Sequence, residues 1–339
     1  MRKILFIYTG GTIGMVNDPE TGELRSFDFD YLYNHVPEIK RFQLEITSIS
    51  FQNPIDSSEI TACHWIDLVE IIEKNYTLFD GFVVLHGSDT MAYTASALSY
   101  LLQGIKKPVI LTGSQLPIGT IRTDGKENLI TAIEIASAYR GDEALVQEVA
   151  VYFEYSLYRG NRSSKVSANQ FEAFQSPNFP ALAVAGVNIE FNEKRLFRTS
   201  LEQPVFYKKM NTQVGLLKLY PGIPCDFYNK LFDVSLCKAV VLESFGSGNA
   251  PSHPALQQLI HNYREEGGIV LNVTQCSSGK VAHGAYKTSA FLHKEGVISA
   301  NDMTTEAAIS KLQFLLANHE KQDIQSLLKI SIAGEISID

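Results

Sequence analysis

Lys3-Ile4-Leu5-Phe6-Ile7-Tyr8-Thr9-Gly10-Gly11-Thr12-Ile13-Gly14 opens the chain with an apolar run that stops on a pair of glycines. A short continuous apolar run of this kind reads as a buried strand. Glycine tolerates backbone angles closed to other residues, so the pair marks a sharp turn at the strand end. Thr12 then presents a hydroxyl at the mouth of a sheet, where open α/β proteins bind ligands. A second run ends the same way: Gly81-Phe82-Val83-Val84-Leu85 leads into His86-Gly87-Ser88-Asp89-Thr90-Met91. Two hydroxyl-bearing turns at two strand ends imply one shared pocket.

Outward from these turns, apolar runs alternate with helical periodicity, the pattern of a parallel sheet wrapped by helices. Strands are expected at 3–8, 45–51, 81–85, 109–112 and 148–153. Thr61 is placed to cap a helix with Trp65, Leu68, Val69 and Ile72 on one face. Further helices are expected at 91–102 and 128–139, the latter preceded by Asp124. A later series has strands at 214–219, 239–242 and 269–273, and helices at 254–264 and 305–318. Gly267-Gly268 supplies a C-cap. The fold class is α/β: a larger N-terminal doubly wound sheet domain over 1–190, a linker over 191–212, and a smaller C-terminal α/β domain over 213–339.

Bulk composition narrows the function classes. The chain has 339 residues, 45% of them hydrophobic and 19% charged, with a formal net charge of −8. That length suits two cores rather than one. Lys and Arg form no basic stripe, which argues against nucleic acid as a partner. No apolar run approaches the roughly 18 residues of a membrane span. Cys63, Cys225, Cys237 and Cys276 form no C-x-x-C pair, which fits a reduced, cytoplasmic protein. Eight histidines show neither H-E-x-x-H nor a close Cys/His grouping, so no metal is expected.

The turns carry hydroxyl chemistry rather than a phosphate grip. The P-loop Lys-Ser/Thr pair is missing, and Gly10-Gly11-Thr12-Ile13-Gly14 does not fit the G-x-G-x-x-G pattern. Asp89 has two readings: an N-cap for the helix that follows, or a member of a site with Ser88. Lys165, after the aromatic run at 155–158, is either solvated or partly buried and paired. A Lys–Asp–Ser relay would raise the reactivity of a hydroxyl. Asp56, Ser57 and Ser58 lie between a strand and a helix. They serve either as caps or as a polar patch for a carboxylate.

Taken together, these segments resemble the bacterial-type L-asparaginases, especially the cytoplasmic type I branch. The resemblance is carried by Thr9-Gly10-Gly11-Thr12-Ile13-Gly14-Met15, Leu85-His86-Gly87-Ser88-Asp89-Thr90-Met91 and Leu111-Thr112-Gly113-Ser114-Gln115. Tyr158-Arg159-Gly160-Asn161-Arg162, Gly246-Ser247-Gly248-Asn249-Ala250-Pro251, Thr274-Gln275-Cys276-Ser277-Ser278-Gly279 and Ala300-Asn301-Asp302-Met303-Thr304 complete it. The resemblance implies cofactor-free hydrolysis of L-asparagine to L-aspartate and ammonia. It implies Thr12 as the nucleophile forming an ester, and Ser88, Asp89 and Lys165 as the activating set. It implies Asp56, Ser57 and Ser58, with Ser88 and Asp89, as the substrate-binding residues. Self-association as a homodimer or homotetramer is implied as well.

Two departures from the family pattern stand out. Ser88 replaces the usual threonine, keeping the hydroxyl but losing a methyl that restricts its rotamer. The loop Asn17-Asp18-Pro19-Glu20-Thr21-Gly22-Glu23-Leu24-Arg25 lacks the family's lid tyrosine; the next tyrosines are Tyr31 and Tyr33. Two rival readings are an amidase subunit that supplies ammonia for amidating charged tRNA, which shares the asparaginase core and is expected to carry an extra N-terminal domain, and, from another class, a catalytically idle asparagine-binding or regulatory protein.

Overall fold

The computed structural model describes residues 1–14, 16–17, 24–25, 36–224, 228–282 and 287–337. Most of the 17–25 loop, together with Tyr31, Tyr33 and Cys225, lies outside the described residues. The chain divides into two compact units. The first holds Met1–Ser176 and Pro180–Lys208; the second holds Pro177–Phe179 and Lys209–Asp339.

The first unit is built on an eight-stranded mixed sheet. Five strands run parallel in the spatial order Leu44–Ile55, Arg2–Gly10, Gly81–Leu85, Val109–Thr112, Val149–Phe153. This is a doubly wound order in which the chain changes direction between the first strand and Gly81–Leu85. Such a reversal opens a crevice at the carboxyl ends of those strands. Ile4, Leu5, Phe6, Ile7 and every residue of Gly81–Leu85 are buried, as strands covered on both faces require. Helix Ala62–Asn75 buries Trp65, Leu68, Val69 and Ile72, the stripe its periodicity predicts. Its first turn is closed by His64 Nδ1, which accepts the Thr61 N–H at 3.0 Å. Helix Met91–Leu101 buries every residue except Tyr93. The helix expected over 128–139 instead spans Gly125–Ala136, directly after Asp124.

Beyond Val149–Phe153 the sheet continues with antiparallel strands Ser156–Arg159, Ala183–Ala185 and Ile189–Phe191. This extension differs from a purely parallel expectation. It begins at a two-residue turn in which Glu154 and Tyr155 have φ of 40° and 68°. Tight hairpins demand that left-handed geometry, and Gly or Asn ordinarily signals it. Glu-Tyr carries no such signal.

The stretch 191–212 holds a turn at Glu193–Arg195, and Val205–Phe206 pairs with Leu102–Gln103. A buried ion pair anchors its beginning. Arg159 Nε donates to Glu148 Oε2 at 2.6 Å, while Arg159 Nη2 donates to the Arg195 carbonyl at 2.7 Å. Glu148 Oε1 accepts the Phe197 N–H at 2.7 Å. Most of this segment is therefore packed within the first unit, whose last residue is Lys208.

The second unit carries a four-stranded parallel sheet of Val214–Lys218, Ala239–Ser244, Ile269–Thr274 and Ile298–Ser299. Helix Pro254–Glu265 ends where Gly267 and Gly268 turn back, with the Gly268 N–H on the Tyr263 carbonyl at 2.8 Å. That is the glycine C-cap read from the sequence. Helix Thr305–Asn318 packs Ala307, Ala308, Leu312, Phe314 and Leu315 into the core. The short strand Ile298–Ser299 and helices Lys287–Lys294 and Lys321–Leu327 have too few periodic residues to be read beforehand.

Candidate active site

Three strand ends of the first unit meet through glycine. Gly10 and Gly11 leave the first strand with φ of 133° and 88°. A Cβ on Gly10 would strike the Ile55 carbonyl, and one on Gly11 would lie 2.5 Å from both Cα and N of Gly87. A Cβ on Gly87 would in turn lie 2.5 Å from Ser57 Oγ. Only residues without side chains permit this approach. It sets the turn Thr12–Gly14, the turn Ser57–Glu59 and the turn Ser88–Thr90 side by side at the switch point of the sheet. Thr12 is half-buried there.

Lys165 joins this assembly from a different part of the chain. Ser164–Lys165 pairs antiparallel with Phe174–Gln175, which fixes the direction of the lysine. Lys165 Nζ donates to Ser88 Oγ at 2.8 Å and to Asp89 Oδ1 at 2.6 Å. The lysine side chain is 16% exposed and that of Asp89 67%. Asp89 is thus paired with the lysine, and the capping alternative falls away. The helix itself begins at Met91, with Thr90 in the cap position. An ammonium directed at a hydroxyl oxygen stabilises negative charge on that oxygen. It also leaves the Ser88 O–H free to point elsewhere, and Gln115 Oε1 accepts it at 3.5 Å.

Buried polar groups hold these turns from below. His86 Nδ1 lies 2.7 Å from the Gly87 carbonyl, and its Nε2 lies 2.9 Å from Thr94 Oγ1. Trp65 Nε1 donates to the same Thr94 oxygen at 3.0 Å. A carbonyl only accepts, so the geometry assigns the proton to Nδ1 and makes Nε2 the acceptor of the Thr94 hydroxyl. Burial pushes the His86 pKa from 6.5 down to about 4 and keeps the ring neutral. Asp124 anchors the other side: its carboxylate accepts the Gln115 N–H at 2.9 Å and the Leu116 N–H at 3.2 Å. Gln115 Nε2 donates to the Gln170 carbonyl at 3.1 Å.

The expected substrate loop has a mixed outcome. Ser57 is buried against Gly87, while Asp56 and Ser58 are exposed. Asp56 Oδ1 accepts the Ser58 N–H at 2.9 Å, and hydrogen bonds from Ser58 hold its carboxyl below the usual range. Asp56 therefore caps the turn that carries the two serines. His86, Thr90 and Gln115 were not singled out by sequence reasoning, although each lies within a motif quoted for the resemblance. Their roles follow from contacts across 8 to 33 residues, which no local pattern reports.

Side-chain hydroxyls arrayed at the switch point of a doubly wound sheet, where open α/β proteins bind their ligands, place the molecule among the α/β proteins whose site is built from hydroxyls rather than a nucleotide grip. The family model described as "Asparaginase, N-terminal" matches residues 3–197, and "Glutaminase/Asparaginase C-terminal domain" matches residues 213–328. The chain belongs to the asparaginase family and is an amidohydrolase. L-asparaginase 1 of Escherichia coli strain K12 is 38% identical to it, aligning 100% of this chain with 99% of that protein. A 60 kDa lysophospholipase of Mus musculus is also 38% identical over 99% of this chain, which spans 63% of that longer protein. The crystal structure of L-asparaginase I from Vibrio cholerae superposes with a TM-score of 0.90 at 37% identity, covering 99% of each chain. Among the described residues no helix is long and apolar enough to cross a membrane.

Proposed function

We propose that this chain hydrolyses L-asparagine to L-aspartate and ammonia, with Thr12 as the nucleophile. Thr12 Oγ1 attacks the side-chain amide carbon, the threonine hydroxyl proton passes to the amide nitrogen, the C–N bond breaks, and ammonia leaves. The resulting aspartyl ester is opened by water, which restores the threonine hydroxyl and releases aspartate. Backbone N–H groups at Gly11-Thr12 and Gly87-Ser88 are the candidate donors to the oxyanion. Asp89 serves the α-ammonium group, and Ser57 and Ser58 serve the α-carboxylate. A buried zwitterion needs partners for both charges. Lys165 holds the Ser88 oxygen and the Asp89 carboxylate in one geometry and supports charge that develops on the hydroxyl.

The observation that carries this reading is the contact of Lys165 Nζ with both Ser88 Oγ and Asp89 Oδ1, beside the turn that bears Thr12. Ammonia release from L-asparagine tests it, with Thr12→Ala as the partner measurement. The wild-type chain turns over asparagine, and Thr12→Ala loses several orders of magnitude while keeping its melting temperature. An active Thr12→Ala enzyme would reassign the nucleophile. The reading also includes a cytoplasmic, self-associated enzyme. Three described cysteines, Cys63, Cys237 and Cys276, are free thiols, in keeping with a reducing compartment. Cell fractionation and sedimentation of the purified chain address these two points.

A further inference from the structure

Thr90 ends the turn that carries Ser88 and Asp89, yet none of the chemistry above uses it. It occupies the N-cap position of helix Met91–Leu101 without a side-chain capping bond. A threonine in that position ordinarily accepts a backbone N–H of the first helical turn, worth about 1 kcal/mol. Its hydroxyl instead reaches out of the helix and donates to the Ser57 carbonyl at 2.6 Å, across 33 residues. Ser57 is 4% exposed and opens the turn Ser57–Glu59. The bond therefore ties the turn bearing Ser88 and Asp89 to the one bearing Ser57 and Ser58.

Two further facts define what this tie does. The Ser57 carbonyl also accepts the Ile60 N–H at 3.2 Å, so it keeps a partner when Thr90 is changed. The Asp56–Ser58 hydrogen bond holds the loop together internally. Loss of the Thr90 hydroxyl thus leaves each turn intact and frees one relative to the other.

We propose that Thr90 is a positioning residue that sets the separation between Asp89 and the Ser57-Ser58 pair, and with it the fit of a small α-amino acid. This inference rests on the functional reading above, in which Asp89 takes the α-ammonium group and the serines take the α-carboxylate. A ligand that short spans both groups only when their spacing is held to within a fraction of an ångström.

The test compares wild type, Thr90→Val, Thr90→Ser and Thr90→Ala in steady-state turnover of L-asparagine, with melting temperatures measured in parallel. Thr90→Val keeps the shape and removes the donor. Its KM for asparagine rises about tenfold, the equivalent of one hydrogen bond, while kcat changes less than about threefold and the melting temperature stays near wild type. Thr90→Ser restores the KM, and Thr90→Ala follows Thr90→Val. An unchanged KM in Thr90→Val overturns the proposal. So does a failure of Thr90→Val and Thr90→Ala to fold, because the bond would then be structural. A wild-type chain without activity on asparagine overturns the functional reading and this inference with it, whereas an active wild type with an indifferent Thr90→Val overturns the inference alone.

Discussion

Gly11 and Gly87 pack backbone to backbone: a Cβ added to Gly11 would lie 2.5 Å from both Cα and N of Gly87. The two strand ends that carry Thr12 and Ser88 approach this closely because neither glycine has a side chain. Gly11→Ala must adopt a φ near 88° that alanine disfavours, and must push Gly87 away. The strain costs about 1–3 kcal/mol. The displacement moves Thr12 relative to Ser88 and lowers kcat at least about a hundredfold. Urea denaturation and ammonia release measure the two effects, and a fully active Gly11→Ala enzyme would contradict the packing.

Lys165→Met separates catalysis from stability. The ion pair with Asp89 is largely open to solvent on the carboxylate side, so its loss costs at most about 1 kcal/mol of fold stability. The same change removes the only ammonium in contact with Ser88 Oγ among the described residues. Turnover falls about a hundredfold to a thousandfold. Thr12→Ala and Lys165→Met combined are no worse than Thr12→Ala alone, since in the proposed function both act on one chemical step. Additive losses would show that the two groups act separately.

His86 gives the protein a pH-dependent stability term. Its folded-state pKa is lowered from 6.5 to about 4 by burial. The unfolded chain therefore binds a proton below pH 6.5 that the folded chain refuses until about pH 4. This contribution is fully present above pH 6.5 and is lost as pH falls toward 4, in total on the order of 3 kcal/mol. His86→Asn, which retains a side-chain donor for the Gly87 carbonyl, removes this part of the slope. Denaturation followed by the fluorescence of Trp65, the single tryptophan of the chain, compares wild type and variant at pH 7 and pH 5. Equal pH slopes would show that His86 does not supply the term.

In the second unit, Lys311 and Glu335 form an ion pair with both side chains 0% exposed. Lys311 Nζ also donates to the Ile330 carbonyl at 2.6 Å, and Glu335 accepts the Ile332 and Ala333 N–H groups at 3.0 and 2.8 Å. These bonds fasten the segment 330–335 to helix Thr305–Asn318. Lys311→Met leaves a carboxylate buried without its cation and destabilises the chain by about 3–5 kcal/mol. Changing Glu335 to Gln in the same chain recovers part of that loss, because no uncompensated charge remains. A double variant as unstable as the sum of the singles would rule out charge burial as the cause.

The apolar runs that became the central strands, and the stripe of Trp65, Leu68, Val69 and Ile72, were legible because burial on a sheet or a helix face imposes a period on the sequence. The turns that carry Thr12 and Ser88 were legible too, since glycine at a strand end has few other uses. The sequence by itself therefore determined the α/β class, the strand-end turns and the residue types available for chemistry. The tertiary structure decided which of those residues meet. It directed Asp89 to Lys165 rather than to a helix cap, turned Asp56 to a capping task, bent the chain back at Glu154-Tyr155 and drew most of the 191–212 stretch into the first unit. The reason is one of distance along the chain. Local propensity acts over a few residues, whereas Lys165 reaches Ser88 across 77 residues and Thr90 reaches Ser57 across 33, and only close packing of strand ends brings such partners within hydrogen-bonding range.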